Sequence, residues 1–227
     1  MKRDFYLLLG VSLFFAPFFI FPRVFELYLQ LTARHAILMS FIKFAMLATL
    51  GEVIGFRIKT GGYALKGFGI FPRAVVWGFL GITIKIAFDI FSAGTPVFLE
   101  KTGFEGATGL LGQEMSFRKV LVSFSISTAL NLFYAPVLMT FHKITDLHIM
   151  HHGGKAGALV HPIRFGDRFS EINWKVQWVF VFKKTIPLFW IPAQTITFLL
   201  PEEFRVLFAA FLGIILGVIL AIAALKN

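Results

Sequence analysis

Four ionisable side chains, Lys43, Glu52, Lys85 and Asp89, fall inside stretches that are otherwise almost wholly apolar. A charge at hydrocarbon depth is costly, so a chain that keeps one there uses it to hold an ion, a solute or another charge. The amides Asn131 and Gln194 occupy similar positions and add donors and acceptors without charge. A second group is crowded into one segment, where His142, His148, His151, His152 and His161 are five of the six histidines. In the string HIMHH, the imidazoles of His148, His151 and His152 stand at i, i+3 and i+4, a spacing that lets one helix face converge on a metal. Asp146 could complete such a site. The other use of the string is a set of solvated imidazoles at a membrane surface, which is the reading preferred here.

These residues must be positioned by membrane helices. Hydrophobic residues make up 57% of the chain and charged residues 15%, and Phe alone supplies 30 of 227 positions. That is far from the usual soluble composition of about 25% charged. Apolar runs predict six spans, at 5–21, 36–56, 74–91, 120–141, 178–200 and 204–225, the last two joined by a tight turn at Pro201. The expected fold is an all-α polytopic transmembrane bundle, one domain over 1–227, with a cytoplasmic histidine-bearing loop at 142–176. Pro17, Pro136, Pro187 and Pro192 lie within spans and should kink them. The basic N-terminus before residues 5–21 could open a signal peptide, but no small-x-small cleavage site follows, so a retained span is expected.

Basic residues outside the spans sort twelve to six between the two sides, which places both termini on the cytoplasmic side. In this topology Lys43, Lys85, Asp89 and Gln194 share a level roughly 10 Å below the opposite face. They could line a wet, mildly cationic vestibule suited to small anions or polar solutes, or Asp89 could simply pair with one lysine. Glu52 lies near the other end of its helix, close to Arg57 and Arg73. Asn131, near mid-membrane, can join helices by hydrogen bonds.

Several classes are excluded. With no cysteine there is no disulfide, thiolate metal site or cysteine nucleophile. No GxSxG elbow, phosphate-binding glycine loop or HExxH occurs, so neither enzyme activity nor a cofactor is expected. The net charge of +10 sits beside spans and among Trp174 and Trp178, as suits anionic lipid headgroups, and no polar surface domain is left for nucleic acid. Gly213 and Gly217 form a GxxxG pattern that permits close helix contact, including contact with a second copy of the chain.

The segment 190–206 reads WIPAQTITFLLPEEFRV. Trp190, Gln194, Phe198, Pro201, Arg205 and Val206 stand at the spacings of the C-terminal signature of the Mpv-seventeen and peroxisomal-membrane-protein family, which this run resembles. Ile191, Thr197 and Leu200 depart from that signature. Gly51-Glu52 is similar to the family's Gly-Asp, and 78–89 has the spacing of its Gly-Pro to Leu-Asp segment. The resemblance implies a small integral protein of a bacterial inner membrane or an organelle, in a family proposed to form weakly selective channels for small solutes and usually described with four spans. The signature also has a structural use, because Pro201, Glu202 and Glu203 make a good helix start. HIMHH itself resembles one histidine box of membrane desaturases and hydroxylases, which hold two irons with several such boxes. This chain has a single box.

Overall fold

The computed structural model describes residues 2–63 and 66–224, and these are helical almost throughout, with no strand among them. Leu225, the end of the sixth expected span, and Lys226 lie outside the described residues. The chain divides into two units, Met1–Met39 and Ser40–Asn227.

In the first unit, α1 (Lys2–Ile20) is apolar and carries Pro17, and α2 (Pro22–Arg34) follows at a bend of 94°. The bend has a local cause. Phe21 precedes Pro22 and is driven to an extended backbone, φ −113° and ψ 104°, because the pyrrolidine ring clashes with a helical conformation one residue earlier. Pro22 then starts α2 without wasting a donor. Arg23, Glu26, Gln30 and Arg34 recur along one side of α2, the pattern of a helix with one wet face.

The second unit is a helical bundle built on α3 (Ala36–Thr60) and α4 (Ile70–Lys101), the latter about 48 Å long at helical rise. Both are long and apolar enough to cross a membrane. They approach closely because Gly81 has no side chain: a Cβ there would lie 2.6 Å from Phe44 Cβ and 2.7 Å from the Ser40 carbonyl oxygen. A Cβ on Gly78 would meet the Phe41 ring. Next come a 3₁₀ turn at Ala107–Gly112, α5 (Phe117–Phe133) with Ser116 capping the Lys119 amide, and α6 (Ala135–His151). α5 and α6 meet at a bend of 44°, where Pro136 lacks the amide hydrogen that would continue the ladder.

Beyond α6 lie a 3₁₀ turn at Ala156–Leu159, α7 (Phe165–Ser170) and α8 (Trp174–Val176). A wide π-helix at Gln177–Trp190 follows, then α9 (Ile191–Leu199) and α10 (Glu202–Ala224). Pro187 falls inside the π-helix and Pro192 opens α9, so the expected 178–200 helix is one helical stretch, Gln177 to Leu199, that changes from π to α winding between its two prolines. Lys183 and Lys184 are exposed while Thr185 and Ile186 are buried, which turns the lysine pair outward.

Against the six expected crossings, two helices among the described residues, α3 and α4, are long and apolar enough to cross a membrane, or up to four crossings result if the pairs α1–α2 and α5–α6 each count as one span. Bends at Pro22 and beside Pro136 divide two of the apolar runs, and Glu202, Glu203 and Arg205 charge the start of α10. The expected loop at 142–176 also begins later, since α6 carries the chain helically through His151.

α5 and α9 form the tightest seam of the core. Val122, Ser123, Ile126 and Ser127 of α5 and Thr197 and Phe198 of α9 are fully buried, and Ser127 Oγ donates to the Ile191 carbonyl at 2.7 Å. Small side chains let the two backbones approach and make that bond. α10 packs on α3 through glycines on both sides: a Cβ on Gly51 would lie 2.9 Å from Ile214 Cα, and one on Gly217 would lie 3.3 Å from the Gly51 carbonyl oxygen. Gly217 of the GxxxG pattern is thus used within the chain.

Candidate functional site

The site grows from one acid. Glu52 sits in α3 between two glycines, Gly51 one residue before it and Gly55 three residues after. Arg73 and Trp77 stand one helical turn apart in α4, and His142 and Asp146 are likewise one turn apart in α6, so each pair lies on one face. The three faces meet. Arg73 Nη1 donates to Glu52 Oε2 at 2.8 Å, and Trp77 Nε1 donates to Glu52 Oε1 at 3.0 Å. His142 Nε2 lies 3.1 Å from the same Oε1. A carboxylate oxygen only accepts, so His142 holds its ring proton on Nε2.

The other side of the Arg73 guanidinium is ion-paired with Asp146, which also has Lys143 Nζ at 3.5 Å. Arg73 Nε donates to the Phe68 carbonyl at 2.7 Å, and its guanidinium lies 4.4 Å from the Phe68 ring centre. Arg73 is 7% exposed, so it bridges two acids with little water to replace either. Its planar fork of donors is what makes that bridge possible; a lysine could not span both acids in this geometry. Trp77 and His142 pack against each other with ring centres 4.4 Å apart and planes tilted by 38°.

This cluster forms one end of a cavity of about 540 Å³. Its walls run along α3 from Phe44 to Lys59 and along α4 from Arg73 to Phe88, with α6, α10 and the α5–α6 corner closing the sides. Ile84, Phe88, Leu130, Leu138 and Met139 make the walls largely apolar, and Asn131, Trp190 and Gln194 stand toward the end away from the cluster. A largely apolar cavity of this size with a few convergent polar groups is the ordinary form of a small-molecule site. Asn131 Nδ2 donates to the Ser127 carbonyl at 2.9 Å. Trp190 Nε1 and Gln194 Oε1 are buried without a hydrogen-bond partner.

The residues singled out from the sequence distribute as follows. Asn131 and Gln194 line the cavity. Lys43 is buried at 6% exposure, one residue before the cavity-lining Phe44. Lys85 pairs with Asp89 on its own helix and with Glu202 at 3.2 Å, and neither Lys85 nor Asp89 is among the lining residues. Lys85 and Gln194 are therefore not brought to one cavity wall.

The signature residues form a corner. Arg205 Nε donates to the Leu200 carbonyl at 3.0 Å and lies over the Phe198 ring, so it closes the end of α9 where carbonyls lack helical partners. Leu200 is extended before Pro201, and Phe198 and Val206 are buried beside the turn.

The histidine box is satisfied by protein atoms. His148 Nε2 is 2.9 Å from the Ala158 carbonyl, His152 Nδ1 is 2.9 Å from the His148 carbonyl, and His151 Nε2 is 3.0 Å from Glu171. Among the described residues no group of three His, Cys, Asp or Glu side chains is arranged to hold a metal ion. The alternative metal set of His148, His151, His152 and Asp146 has no common focus: Asp146 faces Arg73, and His151 turns to a different partner from its two neighbours.

Sequence reasoning placed Glu52 near Arg73 but left Arg73, Trp77 and His142 out of any site. The available signal was the matched one-turn spacing of 73/77 and 142/146. It was hidden because 142–176 reads as a loop by composition.

No family model matches the chain, and neither a curated protein nor a solved structure is similar to it. The class that stands on the fold is a helical protein with two to four candidate membrane crossings among the described residues.

Proposed function

We propose that the protein moves small polar or anionic solutes across a membrane, as a carrier or weakly selective channel, and holds them in the cavity between α3, α4, α6 and α10. The observation that carries this reading is that cavity: about 540 Å³ of space bordered by both clear span helices and furnished with Glu52, Arg73, His142, Asn131 and Gln194. A stable bundle has no need of so large a space, and polar groups at membrane depth are characteristic of solute paths. Lys43 and Asp89 each adjoin a lining residue in sequence, Phe44 and Phe88, so we read their layer as the far approach to the cavity. The resemblance of 190–206 to a family of proposed channels points the same way. Both termini are assigned to the cytoplasmic side of a bacterial inner membrane or an organellar membrane, with lipid as the surrounding partner and no catalytic role.

The test is solute flux in proteoliposomes. Gly213 lines the cavity, and a Cβ there would meet nothing within 4 Å, so Gly213→Leu fills space without clashing. We expect uptake of small organic anions above that of empty vesicles, reduced about tenfold or more by Gly213→Leu. Flux equal to empty vesicles removes the proposal.

A second reading, a non-conducting structural or lipid-interacting membrane protein, draws on the pairing of Lys85 with Asp89 and Glu202, which would seal the outer polar layer. Flux unchanged by Lys43→Ala and Lys85→Ala favours it.

A further inference from the structure

The cavity is elongated. Its lining residues on α3 begin at Phe44 and end at Lys59, and those on α4 begin at Arg73 and end at Phe88, so it follows each helix for about 22 Å at helical rise. A space of that length with largely apolar walls suits one extended hydrocarbon chain better than a compact polar metabolite.

Its two ends differ in charge. At one end stand Lys59, Lys143, Arg73, Glu52, Asp146 and His142. Both Glu52 oxygens are engaged and Asp146 is held by Arg73 and Lys143, so two acids face three cations even with His142 neutral. Lys59 is exposed and Lys143 half-buried, and together they leave this end with a positive surplus. At the other end the walls are Phe44, Ile84, Phe88, Leu130 and Ala209, with Tyr134 beside them, its hydroxyl engaged by Thr83 at 2.7 Å. The Asn131 amide there is turned onto the Ser127 carbonyl, and the Trp190 indole nitrogen and the Gln194 carbonyl oxygen are buried beneath the surface.

We infer that the solute held in this cavity is a single-chain amphiphilic acid, its anionic head between Lys59 and Lys143 and its hydrocarbon chain laid along α3 and α4 toward Phe88. The inference rests on the transport reading above and narrows its substrate class. Hydrocarbon burial along the walls supplies most of the affinity, and the cationic mouth selects an anion over an alcohol of the same length.

Tryptophans at both ends provide the readout: Trp77 lies beside Glu52, and Trp190 lines the opposite end. The full chain carrying Trp174→Phe and Trp178→Phe is placed in phosphatidylcholine vesicles and titrated with long-chain saturated carboxylates brominated near the methyl end or near the head. Bromine near the methyl end should quench Trp190, and bromine near the head should quench Trp77. An unbrominated carboxylate should compete and the alcohol of equal length should not. Lys59→Ala with Lys143→Ala should weaken binding about fivefold, as expected for two solvent-exposed ion pairs. Gly213→Leu should abolish saturable quenching.

Equal competition by the alcohol, quenching that survives Gly213→Leu, or the same quenching pattern from brominated phosphatidylcholine would each overturn the inference, the last by showing a bilayer lipid as the occupant. Flux of short organic anions that is sensitive to Gly213→Leu, in a protein that binds no long-chain acid, would sink this inference and leave the transport reading standing. Absence of both flux and binding would remove the two together.

Discussion

Two ionic groups share α4, and their fates are opposite. Around Arg73, one guanidinium and two carboxylates are contributed by α3, α4 and α6, with Trp77 and His142 completing the contacts of Glu52. Around Lys85, the main partner is Asp89, one turn further along the same helix, and the second is Glu202 at the start of α10. The Asp89 and Glu202 side chains are 52% and 70% exposed, against 19% and 14% for Glu52 and Asp146. A charge cluster on a membrane helix therefore has no fixed meaning. When its partners come from different helices and exclude water it joins those helices; when they are local and wet it adds little to stability.

The comparison is sharpened by substitution, with unfolding followed in detergent by heat or denaturant. Arg73→Met strands two buried carboxylates and should cost about 3–5 kcal/mol. Glu52→Gln should cost about 2 kcal/mol, since the amide keeps a carbonyl acceptor for Arg73 or Trp77 but no longer balances the cation. Lys85→Met should cost less than about 1 kcal/mol, and that cost should shrink further in high salt, because its acids are hydrated and screened. The smallest effect is expected of Asp89→Asn, on the order of 0.5 kcal/mol or less, with Glu202 still beside Lys85. Equal losses for Arg73→Met and Lys85→Met would break the distinction. A double-mutant cycle on Arg73 and Asp146 should show strong coupling, and one on Lys85 and Glu202 nearly none.

Glycines carry a parallel lesson. Gly213 and Gly217 are equivalent as a sequence pattern, yet Gly217 meets the backbone of Gly51 and Gly213 borders empty cavity. The pattern announces that close approach is possible and leaves open which glycine is approached, and by what.

Composition and apolar run length were sufficient to specify an all-helical protein of membrane type, because backbone groups can be satisfied in hydrocarbon only within helices or closed barrels. Local chemistry was equally legible: prolines mark the bends at Phe21, Tyr134 and Leu200, and Glu202 and Glu203 mark a helix start. Only tertiary structure decided how many runs remain straight enough to cross, that Arg73 and His142 belong with Glu52, and that His148, His151 and His152 face separate partners. Helical periodicity determines which residues share a face, but the rotation and register of one helix against another depend on contacts between side chains distant in sequence. The site is built from those contacts, across three helices.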